Sequence, residues 1–110
     1  MRMSFVGVIA ANAQNDNVLS GKLHEFLGEH SRIVLAGTGS AAGSRLSLLI
    51  GGEAVVQDQE IGAANRFPQL PQDFIAEGAG FPSDRIVIPV RNTTGAAITV
   101  QLTVDVIPIV

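Results

Sequence analysis

Cysteine is absent from this chain of 110 residues, which excludes disulfides, thiol catalysis and cysteine-ligated zinc. Tryptophan and tyrosine are missing as well, and phenylalanine supplies all five aromatic rings. Single-strand nucleic-acid binders and sugar-binding modules mostly stack their ligands on aromatic platforms, so both classes lose weight. Basic residues are few: seven, of which only Lys22 is lysine, spaced singly from Arg2 to Arg91 in a chain of net charge −3. Without a basic arm or patch, direct nucleic-acid binding is not expected. No apolar run approaches the ~20 residues that a membrane helix requires. The start of the chain imitates a signal peptide at Ala11-Asn12-Ala13, but the apolar part before it is short and interrupted.

What is present is apolar. Hydrophobic residues make up 46% of the sequence and charged residues only 15%, with a mean hydropathy of +0.35. A chain of this length forms one domain with a single core. The apolar surplus then implies surface buried against other subunits, because obligate interfaces resemble a core cut in half. The domain is read as residues 1–110, with an N-terminal strand or arm and polar loop over 1–17 and an apolar tail over 108–110.

The pattern is that of β-structure. From Ile98 to Val106 the chain alternates strictly, with Ile98, Val100, Leu102, Val104 and Val106 on one side and Thr99, Gln101, Thr103 and Asp105 on the other. Only a pleated strand gathers those five apolar residues on one face. Ser44–Ile50 alternates in the same way, and Gly51-Gly52 supplies a two-residue hairpin turn into Glu53–Gln57. Further strands are expected at Ser4–Ala10, Arg32–Ala36, Asp73–Ala76 and Arg85–Val90. Lys22–Leu27 reads as a strand or a short helix, with the balance towards strand. Asn65–Gln72 makes a long connection of the kind a Greek key uses to change sheets. Pro89 cannot donate to a ladder, so its strand is expected at an edge or bulged. Together these features predict an all-β, two-sheet antiparallel sandwich of about eight strands, a rhythm that jelly-roll and immunoglobulin-like sheet orders share.

No motif supports catalysis. Gly37-Thr38-Gly39-Ser40-Ala41-Ala42-Gly43 follows an apolar strand but leads into another strand, whereas phosphate binding needs a helix N-terminus. His24 and His30 stand six residues apart with Gly28 between them, which misses the spacing of a helical zinc site. A pH-sensitive subunit contact remains open to them. Asp58, Glu60, Asp73, Glu77 and Asp84 lie in or beside loops, and some of them could meet at a calcium site between subunits, but their spacing matches no EF-hand. The chain is therefore read as non-enzymatic, with no catalytic, cofactor or metal residues.

Ser31-Arg32-Ile33-Val34-Leu35, the Gly51-Gly52 hairpin, Phe67-Pro68-Gln69-Leu70-Pro71-Gln72-Asp73, Asp84-Arg85-Ile86-Val87-Ile88 and Arg91-Asn92-Thr93-Thr94-Gly95, in that order, resemble the small single jelly-roll proteins of phage particles: shell, penton or decoration components. The resemblance covers residues 20 to 107 and is one of rhythm. It implies a structural protein of the virion that forms a symmetric homo-oligomer and contacts other virion proteins. The missing basic arm favours a shell around a separately packaged genome or lipid vesicle, or an external decoration protein. Phe5, Val6, Val8, Ile9, Ile107, Ile109 and Val110 are the expected subunit-interface residues, acting as an added strand or an exchanged arm. The alternative is a small β-sandwich ligand-binding or adhesion module, with its site in loops such as Gly37–Gly43 and Gly78–Ser83.

Overall fold

A computed structural model describes residues 2–22, 25–64, 68 and 73–109. Two antiparallel sheets face one another. The first has the order β1-β9-β3-β6 and the second β2-β8-β4-β5, with β7 also paired to β4. The strands are β1 (Arg2–Ile9), β2 (Gln14–Asn15), β3 (Ser31–Gly39), β4 (Ser44–Ile50), β5 (Glu53–Glu60), β6 (Phe74–Gly80), β7 (Ile86–Val87), β8 (Val90–Asn92) and β9 (Ile98–Pro108). If β7 and β8 count as one interrupted strand, the chain changes sheet at every connection except the β4–β5 hairpin. That is a single jelly roll, the all-β sandwich the alternation predicts.

The core lies between the sheets. Ile98, Val100, Leu102 and Val104 of β9 are buried with Leu46 and Leu48 of β4 and with Ile86 and Ile88, as the period of two requires. β3 holds the middle of its sheet, paired to β9 on one side and β6 on the other. Ile33 to Ala36 are buried on both faces of the sheet, which matches the unbroken apolar run. Gly51 and Gly52 both adopt positive φ, 61° and 87°, which a two-residue hairpin turn matching the strand twist demands.

Several expectations are corrected. Pro89 makes no bulge, since β7 and β8 keep one register on β4; it interrupts the strand between β8, which lies between β2 and β4, and β7, which pairs with β4 alone. The gap is bridged by side-chain and loop bonds. Asn17 Oδ1 accepts from the Ile88 N–H at 3.1 Å, the Val18 N–H donates to the Ile88 carbonyl, and the Ser47 N–H donates to the Pro89 carbonyl. No helix or strand forms over the described part of Lys22–Leu27, where Phe26 makes only an isolated bridge to Arg85. β6 begins at Phe74 and runs through Gly80, beyond the stretch expected from Asp73–Ala76. Leu23, His24, Val110 and most of the Asn65–Gln72 crossover lie outside the described residues.

The chain ends also differ from free arms. β1 pairs with β9 along its whole length, from Arg2↔Asp105 to Ile9↔Ile98, and Met3 and Ile9 are part of the core. At the other end Pro108 still belongs to β9 opposite Ser31, and the Ile109 N–H donates to the His30 carbonyl.

Candidate functional site

The outer faces of the two sheets differ in chemistry. Residues directly opposite in a ladder share a face, so the registers of β1, β9, β3 and β6 set out the first sheet's outer surface row by row. One row is Arg2, Asp105, Val34 and Glu77; the next is Ser4, Thr103, Ala36 and Phe74; then come Val6, Gln101 and Thr38, and finally Val8 with Thr99. Val34, Ala36, Thr38 and Thr103, in the middle of this face, are buried, so its exposed side chains lie around its margins. In the other direction Ile107 stands opposite Arg32, and Arg32 opposite Ala79. His30 and Phe81 continue the alternation past the ends of β3 and β6, with their rings stacked 4.9 Å apart.

Eight large apolar side chains of the described residues are exposed, and six of them occupy this face: Val6 (60%), Val8 (66%), Phe74 (48%), Phe81 (66%), Ile107 (43%) and Ile109 (46%). Single exposed apolar residues are ordinary, but their concentration on one face of a small domain is not. The described charged residues of this face, Arg2, Asp105, Arg32 and Glu77, sum to no net charge. Arg2 donates to Asp105 at 2.7 Å through Nε and at 3.2 Å through Nη2, and Arg32 Nε lies 2.9 Å from Glu77 Oε1. The Arg2 hydrogen bonds hold the Asp105 carboxyl below the usual aspartate range, so the pair stays ionised and matched. A surface whose charges are satisfied internally loses less on desolvation than one with unpaired ions.

The sheet edges differ too. β5, an outer strand of the second sheet, carries Glu53, Asp58 and Glu60 and suffers two register shifts against β4. β6 has a register shift against β3 at Leu35/Ala36, and β2 is only two residues long. Bulges, charges and shortness all block pairing with another chain. β1 has none of these defences: eight residues in unbroken register, with Arg2 its one charge, already bound to Asp105.

Of the residues singled out by the sequence, Val6, Val8, Ile107 and Ile109 therefore stand exposed on one face. Phe5 and Ile9 do not. Ile9 is 4% exposed and Phe5 packs against the core with its ring across Gly7, so both serve their own chain. Sequence reading missed Phe74 and Phe81 as surface residues. Phe81 alternates with the buried Gly80, a signal the sequence carries, but Phe74 has the parity of the buried Ala76 and turns outward only through the bulge opposite Leu35/Ala36.

The loops of one end form a second construction. Residues 25–30 run antiparallel to 81–86: the Leu27 N–H donates to the Asp84 carbonyl, the Ser83 N–H to the Leu27 carbonyl, and the Ile86 N–H to the Glu25 carbonyl. Glu25, 8% exposed, accepts from the Gly21 N–H at 2.9 Å and from Arg85 Nε at 2.6 Å. The Gly21 bond first, and Arg85 next, lower its pKa. These bonds occupy the Glu25 carboxylate structurally. Asp58 is held by Arg91 and Arg45, Glu77 by Arg32, and Asp84 accepts from the Phe81 N–H. Among the described residues no three His, Asp or Glu side chains gather as a metal site. An open groove of about 590 Å³ runs between the end of β1 and the segment through β2, lined by Val8, Gln14, Asn15, Asp16, Asn17 and Arg85 among others. No helix among the described residues is long and apolar enough to cross a membrane.

No protein-family model matches the chain, and no curated protein matches it in sequence. Among solved structures, it is similar to a carbohydrate-binding module, CBM36, described in complex with calcium and xylotriose. The likeness has a TM-score of 0.48 at 15% identity and covers 96% of this chain and 98% of the module. The strand order, not this likeness, establishes the jelly roll.

Proposed function

We propose that this chain is a non-enzymatic structural subunit that self-associates through the outer face of the β1-β9-β3-β6 sheet and the β1 edge, and is built into a virion as a capsid or capsid-decoration component. The observation that carries this reading is the gathering of six of the eight exposed large apolar side chains on one charge-matched sheet face. The bare β1 edge beside it supports the same reading, since a long unblocked strand invites a second copy. The single jelly roll is an architecture of viral capsid domains, and this supports the place of assembly.

The test is sedimentation velocity of the full chain beside the double variant Val6→Lys/Val8→Lys. Both positions point away from the core, so the variant keeps its β circular dichroism spectrum and sediments as a smaller species than the self-associated full chain. A full chain that remains monomeric at micromolar concentration, or a variant that keeps the full-chain oligomer, overturns the reading.

A small ligand-binding or adhesion module is the second reading, and the side groove favours it. Gln14, Asn15, Asp16 and Asn17 line that groove with amide and carboxylate groups suited to hydroxyl-bearing ligands. Jelly rolls also serve as lectin domains. Screening the full chain against an array of uncharged glycans separates the two readings, because the assembly reading expects no uncharged glycan to bind.

A further inference from the structure

The outer face of the second sheet carries a feature that assembly through the first sheet leaves unused. Arg45 and Arg91 stand directly opposite one another on β4 and β8, and like charges in that relation repel. A single carboxylate lies between them. Asp58 comes from β5, two strands away from Arg91, and reaches it because the strand is irregular there. Leu46 pairs with Gln59 and Leu48 with Val56, so Ser47 faces both Gln57 and Asp58. Asp58 takes a left-handed backbone, φ 53°, and its N–H donates to Ser47 Oγ at 2.9 Å. The bulge thus aims its carboxylate along the sheet.

The arginines are unequally engaged. Arg91 commits Nε and Nη2 to the two oxygens of Asp58, at 2.7 and 2.5 Å. Arg45 commits Nε, to the Asp58 carbonyl at 3.0 Å and to Oδ2 at 3.3 Å. Both Asp58 oxygens are therefore occupied, while Nη1 of Arg91 and both Nη atoms of Arg45 have no protein partner among the described residues. The three groups sum to one positive charge in a chain of net charge −3. Glu60, opposite Arg45, forms no ion pair with it. A groove of about 190 Å³ opens here, lined by Gln14, Arg45, Leu46, Ser47, Asp58, Pro89 and Arg91.

We infer that this groove binds an oxyanion, a sulfate or phosphate group, between the unused guanidinium donors of Arg45 and Arg91. A carboxylate has two oxygens and satisfies one fork, a role Asp58 already fills. A tetrahedral oxyanion offers further oxygens, enough to meet donors from both arginines and the second Nε2–H of Gln14, whose first is given to Asp16 Oδ1 at 3.0 Å. Asp58 acts as a positioning residue, holding two guanidinium groups close that would otherwise part. The inference does not depend on self-assembly, since the groove lies on the opposite sheet.

The experiment is calorimetric titration of the full chain with sodium sulfate at constant ionic strength, balanced with sodium chloride. Saturable one-to-one binding is expected. Arg45→Gln weakens it by about tenfold, the effect of removing a charge-assisted hydrogen bond. Arg45→Lys keeps the charge but loses the fork and weakens binding less. Arg32→Gln makes the same charge change on the opposite sheet and leaves binding unaltered. Glucose 6-sulfate in place of sulfate identifies the source: tighter binding indicates an ester on a larger ligand, and equal binding indicates the free ion, each in accord with the site. Absence of saturable sulfate binding, or equal losses in Arg45→Gln and Arg32→Gln, overturns it.

Discussion

Leu102 is fully buried in the middle of β9, and its Cδ2 fills the space that a side chain at Gly37 of β3 would need. Leu102→Ala should destabilise the fold by about 2–5 kcal/mol, through lost burial and the cavity left behind. Gly37→Ala forces a methyl group into the same spot and against Ile75 Cδ1, at a cost of about 1–3 kcal/mol. The two changes share one volume, so the double variant should lose less than the sum of the singles. Urea unfolding of the three variants reads this coupling directly. Glu25 answers to pH. Its pKa is lowered in the folded chain, so its contribution is present at neutral pH and is lost as pH falls through the folded value, below the ordinary glutamate value of about 4.3. Glu25→Gln should lower the thermal midpoint at pH 7 and narrow its gap from the unaltered chain in acid. A gap that stays constant with pH would show that the carboxylate's charge is not what joins the two loops.

Among the elements, the β4–β5 hairpin was legible because two glycines in sequence mark a turn that needs positive φ twice. Gly51 is doubly constrained: its φ is 61°, and a Cβ there would lie 2.8 Å from Asp84 Cγ. Gly51→Ala should therefore lower stability by about 1–3 kcal/mol in a chemical denaturation curve, with the β spectrum retained. β7 and β8 were not legible as two strands. Pro89 announced a missing donor, but what fills the gap is Asn17, 71 residues earlier along the chain than its partner Ile88. Nothing local to either segment encodes that contact. The left-handed backbone of Asp58 is equally hidden, since aspartate tolerates positive φ without requiring it.

For the whole molecule, the decisive contrast is between a neutral apolar sheet face and a polar one. Association through the first should persist as sodium chloride is raised, because apolar contact is not screened and its ion pairs are internal. Sedimentation in low and high salt checks this, and dissociation at high salt would point to a charged interface instead. Truncation is predicted to act differently from substitution. Removing residues 1–11 strips β9 of its partner β1 and takes Met3 and Ile9 from the core, so the shortened chain should lose cooperative unfolding, not merely its oligomer. A truncated chain that unfolds cooperatively with the parent midpoint would show that β1 is dispensable to its own domain.

The sequence by itself determined the class, the core and the hairpin. Strict alternation from Ile98 to Val106 and from Ser44 to Ile50 leaves one pleated arrangement that hides the apolar set, and glycine pairs mark turns through their own backbone freedom. Tertiary structure alone decided which apolar residues stay on the surface. Phe5 and Val6 are neighbours of like character, yet one faces the core and the other solvent, because β1 is fixed in register by β9. It also decided the meeting of Arg45, Asp58 and Arg91, drawn from three strands. Alternation is a local property that a sequence displays, whereas register and strand order depend on pairing between distant segments, which no single segment specifies.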